Sequence, residues 1–93
     1  MKTFDDSIAP FYAFIHAQPD SRTVDNKSWA TCIVGDYMSH AMGVLNPDID
    51  VVTETLYYWW KTDIIPNDLF ERFNQGEFDT YGEAQEALNE LGL

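Results

Sequence analysis

The sequence predicts an all-α fold, an irregular bundle of about five short helices. Three observations lead there. Apolar side chains recur three and four residues apart along most of the chain, which is the spacing of one helical face. Pro and Gly fall between those stretches at intervals that suit short helices. Hydrophobic residues fill 45% of the 93 positions, including six Phe, five Tyr and three Trp, too apolar for a disordered acidic tail. A chain of this length has room for one core, so residues 1–93 read as a single small acidic helical domain with a thin stability margin.

The first predicted helix runs from Asp6 to Gln18. Asp5 or Asp6 would cap it, and Pro10 would sit in its first turn, where a missing N–H costs little. Ile8, Phe11, Phe14 and Ile15 form its apolar face, and Pro19 ends it. A polar loop over 18–25 follows. The second helix is expected to start near Asn26 or Ser28. Ala30, Ile33, Val34, Tyr37, Met38 and Ala41 are its inward face and Gly43 its stop. Residues 45–48, Leu-Asn-Pro-Asp, read as a turn.

Segment 49–63 supports two readings. Its β-branched and aromatic content suits a strand, which would make the fold α+β. Ile49, Val52, Leu56, Trp59 and Trp60 also share a helical face, with Asp50 as a cap. A lone strand would have no partner elsewhere, so the helix is preferred. Pro66 then opens a short helix that turns Leu69, Phe70 and Phe73 inward and stops at Gly76. The last helix carries the capping box Thr80-Tyr81-Gly82-Glu83, an apolar stripe of Ala84, Ala87, Leu88 and Leu91, and Gly92 at its end.

The charge is −11, from sixteen Asp and Glu against five Lys and Arg, and it is uneven. Residues 1–46 carry −2 and residues 47–93 carry −9. Such a field repels nucleic acid and anionic lipid and attracts basic surfaces. No run of about eighteen apolar residues occurs, so no membrane span is expected. The N-terminus lacks the apolar stretch of a secretory signal, and a lone Cys32 gives no disulfide framework. A cytoplasmic setting is the simplest expectation.

Catalytic and metal chemistry find little support. Cys32, Asp36 and His40 follow one another four residues apart. On a helix the outer two would stand about 12 Å apart, so Cys32 and His40 would not meet. Asp36 and His40 would make an ordinary surface pair, and Cys32 would be a small buried residue. His16 suits the end of the first helix, facing its dipole. Asp48, Asp50 and Glu54 alternate as in a calcium loop but lack its central Gly, and Trp59 stands at the twelfth position. They read as a turn and a cap. Glu83 and Glu86 form no acid–base pair, because nothing apolar around them separates their titration. No Gly-rich phosphate loop or catalytic signature occurs. The expectation is no enzyme activity, no cofactor and no metal.

Two features point to binding. The run Tyr57-Tyr58-Trp59-Trp60 cannot face one way, so part of it anchors the core and the rest is a candidate interface anchor. On the last helix Asp79, Glu83, Glu86 and Glu90 fall within about 60° of one another, a line about 16 Å long. The segment contains no Lys or Arg, whereas a merely solvated helix usually mixes signs. Solubility alone would also explain it. The expected function is a non-enzymatic acidic protein that blocks a basic, nucleic-acid-binding surface of a partner protein. Its candidate contacts are Asp68, Glu71, Glu77, Asp79, Glu83, Glu86 and Glu90, with Tyr57 and Tyr58. Phage antirestriction and anti-CRISPR inhibitors, some of them nucleic-acid mimics, are similar in size and charge, and no motif ties the chain to them. The alternative is an assembly module that self-associates or joins a complex through residues 57–60.

Overall fold

A computed structural model describes residues 4–28, 31–43 and 48–93, with only the backbone of 4–7 and Met42. Among the described residues five helices follow in order: α1 Phe4–Ala17, α2 Ile33–Met42, α3 Ile49–Lys61, α4 Asn67–Gln75 and α5 Tyr81–Glu90. Among the described residues the sole β pairing is an isolated bridge between Thr23 and Thr80. The fold is all-α, and the strand alternative for 49–63 falls away.

The buried side chains form one cluster drawn from all five helices and the loops beside them. Phe11 lies at its centre. Its ring centroid is 5.1 Å from Trp59, 5.2 Å from Tyr37 and 5.3 Å from Phe73. α5 packs chiefly on α1, α3 lies against α2, and α4 lies against α3.

Local chemistry explains most boundaries. The Asp48 carboxylate accepts from the Asp50 N–H at 2.9 Å, so Asp48, and not Asp50, caps α3. Val52, Leu56 and Trp59 then fall on its buried face. Ile49 and Trp60, expected on that face, are 50% and 38% exposed because they lie at its margin. In α4, Leu69, Phe70 and Phe73 are buried, and Gly76 closes the helix at φ 64°. A side chain there would be strained and would also crowd Asn26, 3.1 Å from the Cβ position. The capping box of α5 forms as predicted, with both the Thr80 and Glu83 side chains engaged.

Three expectations are corrected. α1 begins at Phe4, so Asp5 and Asp6 lie inside it and Pro10 is interior rather than in the first turn. Burial of Ile8, Phe11 and Ile15 keeps the segment helical across the proline. α2 begins at Ile33, not near Asn26 or Ser28. Asn26 donates instead across the molecule to the Phe78 carbonyl at 2.7 Å. The Ser28 carbonyl closes a separate turn with the N–H groups of Thr31 and Cys32. Cys32 takes the cap position, its sulfur accepting from the Gly35 N–H at 3.5 Å. Finally, Ala41 and Leu91 are exposed, the one next to last in α2 and the other just past the end of α5. Ala30 and the turn at 45–47 lie outside the described residues.

The 18–25 loop is less free than its polar composition suggests. The Val24 N–H donates to the Asp79 carbonyl, Tyr81 to Arg22 and Gly82 to Asp20, all within 2.8–2.9 Å. Gln85 reaches back to the carbonyls of Ile15 and Gln18. Gly82 is required by this approach, since a Cβ there would meet the Asp20 carbonyl oxygen at 2.7 Å.

Candidate functional site

α5 displays its acids because its other side is fully engaged. Tyr81, Ala84, Ala87 and Leu88 are buried, which leaves Glu83, Glu86 and Glu90 outward, with Asp79 exposed just before the helix. The four carboxylates are not equivalent. One oxygen of Glu83 accepts from the backbone N–H groups of Asp79 and Thr80, at 2.7 and 3.1 Å. Glu83 is therefore committed to the cap. Glu77, in the preceding loop, meets Arg72 at 3.3 Å. Glu86 and Glu90 make no ion pair with any described residue. A shallow groove between residues 20–21 and α5 carries Asp20, Glu83 and Glu86 on its walls.

The remaining candidates lie on the α3–α4 pair. Tyr57 and Tyr58 are 40% and 41% exposed, and Asp68 and Glu71 are exposed on α4. The side chain that organises this face is Trp60. Its indole stacks on Phe70, with centroids 4.9 Å apart and planes 13° apart, and its N–H donates to Asn67 at 2.7 Å. Tyr57 stands edge-on to Trp60 at 6.3 Å and tilted over Phe70 at 5.4 Å. The aromatic run thus divides, with Trp59 in the core and Tyr57, Tyr58 and, against expectation, Trp60 outside. The candidate set so falls on two surfaces, one on α5 and one on α3–α4.

Ile49 is not among the sequence-derived contacts, and Trp60 enters only with the 57–60 patch of the self-association alternative. A signal for them exists: Ile49, Thr53, Tyr57 and Trp60 are spaced four, four and three apart, a second helical line beside the buried one. Nothing local reveals that this second line stays uncovered.

The Cys32, Asp36, His40 series is also resolved. Asp36 does not pair with His40. It accepts from the Tyr81 hydroxyl at 2.5 Å and pairs with Arg22 at 2.9 Å. The Arg22 guanidinium also lies 5.0 Å from the Tyr81 ring centroid. Burial, and then the Asp36 carboxylate, push the Tyr81 hydroxyl far above its ordinary value. His40 packs its ring 5.3 Å from Phe14. Cys32 is buried, and that burial raises its thiol pKa. Among the described residues, no group of three or more His, Cys, Asp or Glu is placed to hold a metal ion. No helix of the described residues is long and apolar enough to cross a membrane.

Compared with protein-family models, curated proteins and solved structures, the chain matches none.

Proposed function

We propose that this chain is a non-enzymatic binding protein whose acidic surface docks on a basic surface of a partner protein, shielding it from nucleic acid. The observation that carries the reading is the charge left uncompensated. Against sixteen acids, the ion pairs among the described residues are Arg22–Asp36 and Arg72–Glu77. Repulsion of that size disfavours the compact state, so a basic partner has much to neutralise.

The mechanism is electrostatic steering followed by steric blockade. Glu86 and Glu90, with Asp79, Asp68 and Glu71, supply the field. Tyr57 and Tyr58 supply apolar contact, while Glu83 and Glu77 contribute charge from positions already tied to the protein. Phage-encoded inhibitors of comparable size and charge work on this plan. Catalysis is no part of the reading: an inward thiol held protonated by burial is a poor nucleophile.

A pull-down from a lysate of the source cells tests this, washed at ionic strengths of about 0.01 M and about 1 M, where the Debye length is about 30 and 3 Å. A protein retained at the low and lost at the high value is expected, with less retained by Glu86→Lys with Glu90→Lys. Capture of nucleic acid itself, or a retained protein indifferent to both salt and reversal, would contradict it. The exposed Ile49, Tyr57, Tyr58 and Trp60 motivate a second reading, self-association through α3. Light scattering on a size-exclusion column separates the two.

A further inference from the structure

The chain holds two arginines, Arg22 and Arg72, and both are engaged in the same way. Arg22 lies 5.0 Å from the Tyr81 ring centroid while pairing with Asp36 at 2.9 Å. Arg72 lies 4.7 Å from the Phe78 ring centroid while its Nε meets Glu77 at 3.3 Å. Each is a guanidinium laid on a ring with a carboxylate at its edge, where cation–π attraction and a charge-assisted hydrogen bond act together.

The α3–α4 face repeats the ring and the carboxylate without the arginine. Tyr57 and Trp60 are 40% and 38% exposed. Glu54 is three residues before Tyr57 on α3, on the same side of the helix. Glu71 is one turn beyond Asn67, the residue that holds the Trp60 indole. Both carboxylates are exposed. Phe70 backs the indole on one side, which fixes its plane. The nearest cation in sequence, Lys61, is a compact and strongly hydrated charge that does not lie flat on a ring.

We infer that this face is the docking site for an arginine-bearing segment of a partner protein, one guanidinium lying against Tyr57 and Trp60 with Glu54 or Glu71 at its edge. The inference rests on the proposed function and adds the residue type recognised and the face that recognises it. Charge selects this occupant over a second copy. A copy of the chain brings −11 and no unengaged arginine.

Peptide titrations followed by amide and indole NMR test it. The probes are a synthetic amphipathic helix of Leu and Arg, the same helix with Lys for Arg, and the same with Glu for Arg. The Trp60 indole signal is identified with Trp60→Phe. The Arg peptide is expected to move that signal and the amides of 50–60 and 67–71, and to bind about fivefold tighter than the Lys peptide. Tyr57→Ala and, separately, Glu54→Lys with Glu71→Lys should each weaken it about tenfold. These positions are exposed, and the remaining amide spectrum reports that the fold persists. Glu86→Lys with Glu90→Lys removes field but no contact, so it should weaken the Arg and Lys peptides by the same factor and leave their ratio unchanged.

Shifts confined to α5 would overturn the inference and leave the acidic-binder reading standing. Equal affinity for the Arg and Lys peptides with Tyr57→Ala silent would also overturn it, as would a concentration-dependent dimer that buries Trp60 without peptide. Absence of binding to either cationic peptide would overturn both readings.

Discussion

On α5 the outward surface is carboxylate, and its aromatic, Tyr81, is buried with its hydroxyl donated to Asp36. On α3–α4 the outward surface is aromatic, and the carboxylates stand beside it. The first surface acts at range and is indifferent to shape, because charge is felt over a Debye length of about 8 Å at physiological salt. On the proposed reading the second acts only in contact, where a planar group fits against Tyr57 and Trp60. One surface suits the rate of encounter and the other the choice of partner. Counting acids alone does not separate them: α5 carries Glu83, Glu86 and Glu90 with Asp79 just before it, and α3–α4 carries Asp50, Glu54, Asp68 and Glu71. What separates them is exposed aromatic surface, Tyr57 and Trp60 on α3, which α5 lacks.

The comparison breaks if the two helices are not equally anchored. Leu56→Ala on α3 and Leu88→Ala on α5 each empty a site with 0% exposure, and each should cost about 2–5 kcal/mol in denaturant unfolding. A much smaller loss at either would mean that surface is loosely held. Next in size, Thr80→Ala removes one half of the capping box and should cost about 1 kcal/mol. Glu83→Lys should cost a similar amount, which makes Glu83 a poor probe of binding. Trp60→Ala loses the Phe70 stack and the Asn67 hydrogen bond, also at about 1 kcal/mol. Smallest is Glu86→Lys with Glu90→Lys, expected within about 0.5 kcal/mol of the parent and on the stabilising side. It relieves like-charge repulsion and places a cation at the helix C-terminus.

Buried Tyr81 and half-buried Tyr12 and Tyr37 sharpen the contrast between inside and outside. Burial pushes the Tyr12 hydroxyl from 10.0 up to about 12 and raises Tyr37 as well, while Tyr81 is raised further. A neutral acid whose folded pKa exceeds its unfolded one stabilises the fold below the unfolded value and loses that contribution as pH climbs toward the folded one. Between 10.0 and about 12, these residues should therefore make the protein progressively less stable. Tyrosine absorbance should show fewer ionised rings in the native chain than in the denatured one at the same pH. Coincident curves would contradict the packing around Phe11 and Asp36.

The elements written most plainly in the sequence are those whose signals are local. Pro66, Gly76 and the Thr80–Glu83 box bound α4 and α5 because caps and stops act within one turn. The start of α2 departs from expectation because Asn26 has the composition of a cap, yet its amide bonds a carbonyl 52 residues away. α1 departs from expectation because proline preference is a local rule, and here burial of the surrounding face overrides it. On the candidate site, helical spacing identified the α5 acids but not the engagement of Glu83. It also left open which of four consecutive aromatics would remain outside. That depends on where α4 lands, and with it Phe70 and Asn67. The pairing of Arg22 with Asp36 and Tyr81 is likewise a product of the fold.

The most direct test of the central claim is the ionic-strength dependence of the affinity between the intact chain and the protein it retains. If uncompensated carboxylates drive docking, affinity falls steadily between about 0.01 M and about 1 M, and the slope is shallower for Glu86→Lys with Glu90→Lys. An affinity constant across that range, for parent and variant alike, would contradict it.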